Sequence, residues 1–196
     1  MKTRMLCLVL LVVLVLSGCK ERNKEEIVAY VGETPVTVSE FRFYLDNVKE
    51  QMQGTELSDD DDWQNNEIDG RKAIDVAKDL ALDNATVNLA YIQIYKKMGK
   101  TLSDKDKTQI DEIKDEMVKS FDGGYDEFLK INNLTDEFAN MLCKSEYCKN
   151  ILYNEFAEEN DASEEEMSIL FEKYIDEKML EYSITTVETE LIKKIN

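Results

Sequence analysis

The sequence predicts a mainly α, compact domain of about six helices. A small β element comes from its N-terminal segment, with the C-terminal segment available to pair with it. Three observations lead there. Only 1 proline and 7 glycines occur in 196 residues, too few for the many turns of a sandwich or a loop-rich fold. Apolar residues recur at helical spacing along most of the chain. Strand-like runs are confined to Ile27–Val31 and Tyr182–Val187. A hydrophobic content of 43% is enough for a packed core, and the length suits one domain with appendages.

The first segment reads as an address. Lys2 and Arg4 precede an unbroken apolar run from Leu6 to Leu16, about half the ~20 residues a membrane-spanning helix needs and the size of a secretory h-region. Leu16-Ser17-Gly18-Cys19 follows, then a polar stretch from Lys20 to Glu26. Small residues at 17 and 18 let a peptidase approach the backbone, and Cys19 supplies a thiol. This order resembles the lipobox of bacterial lipoproteins. It implies diacylation of Cys19 and a lipid anchor on the extracytoplasmic face of a bacterial membrane. Acyl chains contribute about 0.8 kcal/mol per buried CH₂, so two chains hold where one does not. Residues 1–18 are thus expected to be a lipoprotein signal peptide, 19–26 a lipidated tether and 27–196 the folded domain.

Within the domain, Ile27–Val31 is followed by the turn signal Gly32-Glu33 and a brief resumption at Pro35-Val36. Thr37 or Ser39 caps a helix from near Glu40. In it Phe41, Tyr44, Leu45, Val48 and Met52 form one stripe, ending at Gly54. Residues 55–70 read as a loop carrying Asp59 to Asp62 and the only tryptophan, Trp63. Arg71 to Met98 is the longest periodic segment, stopped by Gly99. One of its stripes is Val76, Leu80, Val87, Tyr91, Ile94 and Met98; another is Ile74, Ala77, Ala81, Ala85 and Ile92. Apolar residues on two sides make it a central helix.

Ser103 caps a third helix whose narrow stripe, Ile110, Ile113, Met117 and Phe121, puts it on the surface. Asp122-Gly123-Gly124 breaks the chain, and a short helix runs from Tyr125 to Ile131. Thr135 caps a fifth helix, from about Asp136 to Glu158, on Phe138, Met141, Leu142, Cys148, Leu152 and Phe156. Ser163 and Glu166 form a capping box for a sixth, carrying Met167, Leu170, Phe171 and Tyr174. Tyr182–Val187 is available to pair with Ile27–Val31, and a short charged tail follows.

Composition narrows the chemistry. With 24 Lys+Arg against 42 Asp+Glu, the net charge of −18 opposes non-specific nucleic-acid binding. The chain contains no histidine. Its own residues therefore cannot supply a Ser-His-Asp triad, a Cys-His pair or a His-ligated zinc site. Asp59–Asp62 lacks the alternate ligand spacing, central glycine and distal glutamate of a calcium loop and reads as a solvated turn. Glu164–Glu166 sits where a helix N-terminus favours negative charge. No catalytic residue, metal site or cofactor is expected. Cys7 leaves with the signal and Cys19 takes lipid, so Cys143 and Cys148 remain. Five residues apart on a helix, they lie about 140° apart around its axis, a poor disulfide geometry. Both are expected as small buried core residues.

The order of features in Val28-Ala29-Tyr30-Val31-Gly32-Glu33-Thr34-Pro35-Val36-Thr37-Val38-Ser39-Glu40-Phe41 resembles the opening of SurA/PrsA-type foldases. Tyr125-Asp126-Glu127-Phe128-Leu129, Asn133-Leu134-Thr135 and the helix ending Ile151-Leu152-Tyr153 resemble a second patch of the same domain. The lipobox fits the PrsA branch, whose members are lipoproteins. The resemblance implies a SurA N-terminal-like chaperone domain. Such foldases usually add a parvulin-type prolyl isomerase domain of roughly 90 residues, with paired histidines in its site. Few residues follow the sixth helix here and no histidine is present, so isomerase catalysis is not expected.

Two functional readings follow. The first is a membrane-tethered chaperone-like lipoprotein that binds unfolded or newly secreted polypeptide without catalysis. It requires an exposed apolar groove bordered by charge, and Met52, Met98, Met117, Met141, Met167 and Met179 would suit promiscuous contact. At helical spacing each methionine reads first as a core residue, so no client-binding residue is assigned. The second is an interaction lipoprotein docking one specific envelope partner. Breadth of binding separates the two.

Overall fold

The structure is a computed structural model that describes residues 26–52, 60–119, 121 and 123–195. The segment expected as a signal peptide, Cys19, most of the segment expected as a tether and the helix end expected at Gly54 lie outside the described residues. Among the described residues, seven α-helices pack with a three-stranded sheet and a two-stranded hairpin, in a mainly α arrangement.

The chain begins with β1 (Ile27–Val31) and β2 (Thr34–Thr37), an antiparallel hairpin with Val31 opposite Thr34. Gly32 carries the turn at φ +58°, and a Cβ there would come within 2.6 Å of the Gln93 amide oxygen. The amide nitrogen of Gln93 donates to the Val31 carbonyl at 2.8 Å, clamping the hairpin to the central helix. Helix α1 (Val38–Met52) is capped by Thr37 rather than Ser39. The Thr37 backbone N–H donates to Glu40 at 2.8 Å, and the Glu40 N–H donates to the Thr37 hydroxyl at 3.3 Å, a reciprocal box. Phe41, Tyr44, Leu45 and Val48 are buried as the stripe requires.

Residues 60–70 correct the loop expectation, and Arg71 and Lys72 the expected start of the long helix. Asp60–Asn65 forms a short helix, α2, followed by a hairpin of β3 (Glu67–Ile68) and β4 (Arg71–Lys72). Trp63 is the reason: at 3% exposure it is a core residue, which a solvated loop could not supply. The central helix α3 (Ala73–Lys97) therefore starts two residues later than expected and ends at Gly99, where φ is +77°. Ile74, Ala77, Ala81, Ala85 and Ile92 are all buried. Small side chains on this stripe let neighbouring elements come close to the helix axis.

Helix α4 (Asp104–Val118) buries no residue fully and lies outside, as its narrow stripe predicts. Helices α5 (Gly124–Ile131), α6 (Asp136–Glu159) and α7 (Glu164–Glu181) follow, with Thr135 and Ser163 capping the last two. Ser145 of α6, wholly buried, donates its hydroxyl to the Asn88 carbonyl at 2.7 Å and fixes α6 against α3. Strand β5 (Thr186–Glu188) pairs antiparallel with β1, giving the order β2-β1-β5. The pairing forms as anticipated, in the register Tyr30 opposite Val187. The tail, expected to be merely charged, is a correction too. Ile192, the first residue of a short 3₁₀ turn (Ile192–Lys194), and Ile195, just after it, are 6% and 4% exposed and join the core.

Candidate groove between the third and seventh helices

The stripe Val76–Met98 of α3 is the one that other elements leave partly uncovered. Ile94 is buried; Val76, Val87, Tyr91 and Met98 are half-buried; Leu80 is 43% exposed. Leu80, Asp83, Asn84, Val87 and Tyr91 follow one another at i, i+3, i+4, i+7 and i+11, so they share a face. Helix α7 presents Glu172, Ile175, Asp176 and Met179 at the same spacing. Between them lies an open groove of about 500 Å³, floored by Thr86, Val87, Tyr91, Ile175 and Met179. Exposed aliphatic residues continue the α7 face at both ends: Ile169 (63% exposed) a turn before Glu172, and Leu180 (80%) a turn after Asp176.

Its floor is rigid for a packing reason. Tyr91 stacks on Phe171 at 6.3 Å, and Phe171 meets Tyr153 edge-on at 5.1 Å. Phe156 lies 4.9 Å from Tyr174, whose hydroxyl reaches the Met98 sulfur at 3.9 Å. These contacts bind α3, α6 and α7 together. At the sheet end, the Thr186 and Thr86 hydroxyls are 3.1 Å apart, tying β5 to the groove floor.

The rim is acidic. Asp83, Glu172 and Asp176 border the groove, and none forms an ion pair among the described residues. Partial burial, and then repulsion from Asp79, raises the Asp83 carboxyl above its ordinary value. Asp79 itself is paired with Arg71. The Tyr91 hydroxyl is pushed up to about 12 by burial and then by Glu146 and Glu172.

A second depression of about 620 Å³ lies between α4 and α6, over Ile113, Tyr147 and Ile151. Its carboxylates are partly neutralised: Glu116 is bound by Lys119, and Glu146 faces Lys149 at 3.4 Å. Another polar cluster is structural in form. Lys114 lies 3.7 Å from the Tyr125 ring centre and 3.1 Å from Asn140, while the Tyr125 hydroxyl donates to Asp136 at 2.8 Å. That bond, with the nearby Lys114 ammonium, holds the Asp136 carboxyl below its usual range. Together these groups bolt α4 and α5 to the start of α6.

The residues singled out in sequence fall as follows. Cys19 lies outside the described residues, as does Asp59. Cys143 and Cys148 are free and buried, with both thiols raised by burial, Cys148 to about 11. The methionines are chiefly packing residues: Met167 is buried, and Met52, Met98, Met141 and Met179 pack on the core. Met179 alone of these also lines the groove. Leu170, assigned to the inner stripe of α7, is a correction at 41% exposed; Ile175 takes the buried place. Sequence spacing did not single out Asp83, Glu172 or Asp176. Their only signal was an acidic residue one turn from an apolar one, which most surface helices share. Among the described residues, no group of three or more His, Cys, Asp or Glu is placed to hold a metal ion, and no helix is long and apolar enough to cross a membrane.

No protein-family model matches the chain, and no solved structure matches it. Over 90 residues it is 30% identical to the foldase protein PrsA of Caldanaerobacter subterraneus subsp. tengcongensis. The matched stretch covers 46% of this chain and 29% of that foldase, so the chain spans under a third of its relative. What the chain resembles over that stretch is a foldase.

Proposed function

We propose that this protein is a membrane-anchored, extracytoplasmic chaperone-like lipoprotein that binds unfolded or newly secreted polypeptides without prolyl-isomerase catalysis. The observation that carries the reading is the α3–α7 groove. An apolar floor lies open beside exposed Leu80, Ile169 and Leu180, with uncompensated carboxylates at its border. Its volume of about 500 Å³ falls in the range of small-molecule and cofactor sites, room enough for one or two large side chains. Apolar contact is tolerant of sequence, and the surrounding negative charge keeps a loaded complex soluble. The partial match to a foldase supports the same class of activity. The anchor is argued from the sequence pattern of residues 1–19: basic Lys2 and Arg4, the apolar run Leu6 to Leu16, then Ser17-Gly18-Cys19. The non-catalytic part rests on the absence of histidine from the chain.

Light scattering tests the reading. Two unrelated, chemically unfolded proteins are diluted with and without the protein beginning at Lys20, beside a prolyl-isomerase assay. Suppressed aggregation of both, with no isomerase activity, is the expected result. Suppression of neither would overturn it. Fractionation tests the anchor: Cys19→Ala should move the protein out of the membrane fraction, and an unchanged membrane fraction would remove the lipid from the account.

A further inference from the structure

The geometry points to a client class for the α3–α7 groove: extended segments in which aliphatic or aromatic residues are flanked by lysine or arginine. This inference rests on the chaperone reading and names the substrate of its site. The apolar floor of Val87, Tyr91, Ile175 and Met179 supplies non-directional affinity. Charge decides which segments can use it. Asp83, Glu172 and Asp176 border the floor, no basic side chain lines it, and none of the three carboxylates has an ion-pair partner among the described residues. A flanking cation would meet unneutralised charge, whereas a flanking carboxylate would meet repulsion.

Length follows from the helix. Asp83 and Tyr91, the lining residues furthest apart on α3, are eight residues apart, about 12 Å at 1.5 Å per residue. A chain rising about 3.3 Å per residue covers that distance in roughly four residues. The groove thus suits about four extended residues with basic positions at their margins. The α4–α6 depression differs, because Lys119 and Lys149 already occupy two of its carboxylates.

The test uses the full chain in nanodiscs of zwitterionic lipid, with empty nanodiscs as the control. Three fluorescent peptides share a Leu-Tyr-Val centre and differ in flanks of lysine, serine or glutamate; anisotropy reads the Kd of each. At low salt the lysine-flanked peptide should bind about tenfold more tightly than the glutamate-flanked one, and added salt should shrink the ratio. The surface variant Asp83→Asn/Glu172→Gln/Asp176→Asn, its fold checked by circular dichroism, should bring the ratio within about twofold. Glu112→Gln/Glu116→Gln in the other depression should preserve the full preference. Equal binding of all three peptides would overturn this inference and leave the chaperone reading standing. A preference that survives the triple variant would place it at another site, and overturn the inference too. Failure of every peptide to bind would remove both.

Discussion

Replacing Tyr44 with phenylalanine should make the protein more stable. Tyr44 is 5% exposed in α1, and its hydroxyl is buried with no hydrogen-bond partner among the described residues. Its ring meets Phe43 at 5.6 Å and Phe138 at 5.9 Å, both edge-on, and these contacts survive the substitution. Burial, and then the Glu40 carboxylate, pushes the hydroxyl far above the usual tyrosine range, so it is neutral at every working pH. A buried, unsatisfied hydroxyl costs about 1–3 kcal/mol. Deleting one oxygen leaves a void of roughly 15 Å³, which at ~24 cal/mol per Å³ costs about 0.4 kcal/mol. The net gain is about 1 kcal/mol, or roughly 2–4 °C in Tm for a chain of this size. Urea unfolding of Tyr44→Phe beside wild type checks it, with an unchanged m-value showing that only stability moved. Tyr44→Ala provides the scale, with an expected loss of about 3–5 kcal/mol as the ring leaves the core. A Tyr44→Phe protein less stable than wild type would mean that the hydroxyl is satisfied, and the accounting would be wrong.

Three further outcomes are expected. Ile192→Ala should lower stability by about 2 kcal/mol in urea unfolding despite its place near the C-terminus, because the side chain is 6% exposed within the core; no effect would return the tail to solvent. Acid should destabilise the fold through Asp106, Asp136 and Glu166, held low first by the Ser103 backbone N–H, the Tyr125 hydroxyl and the Ser163 side chain respectively. Their folded-state values are depressed, so the stability is present above the ordinary carboxylate range and is lost as pH falls through the folded values. Asp83 carries the opposite sign, since its raised value makes protonation favour the folded state; Asp83→Asn should steepen the acid loss of the urea midpoint, and a shallower loss would refute the assignment. Cys143 and Cys148, buried and with raised thiols, should resist iodoacetamide in the native protein and react fully once it unfolds. Intact-mass time courses read this directly, and fast native labelling would contradict their burial.

Where structure depends on a few neighbouring residues, the sequence was legible. Thr37, Ser103, Thr135 and Ser163 cap helices, and Gly32 and Gly99 stand at the positive φ that a turn and a helix end require. Period alone marked α1 and the small-residue stripe of α3. Residues 60–70 read as a loop because Asp and Asn runs have that composition, while the core's demand for Trp63 folds them, with Arg71 and Lys72, into α2 and a hairpin. The tail was misread for the same reason: its charges are local, and the pocket for Ile192 and Ile195 is made by distant parts of the chain.

The candidate groove shows the division most clearly. Periodicity put Leu80, Val87 and Tyr91 on one apolar stripe with Ile94, and Leu170 on one with Phe171. Nothing within either helix says how much of a stripe its neighbours cover. In the fold Ile94 and Phe171 are sealed, Val87 and Tyr91 floor a groove, and Leu80 and Leu170 reach solvent. By itself the sequence determined the mainly α class, the caps, the acidity and the exclusion of histidine chemistry, all set by residue identity and nearest neighbours. Only the tertiary structure decided which apolar face stays open and which carboxylates stand over it unpaired, because exposure and charge pairing are set between helices that are far apart in the chain.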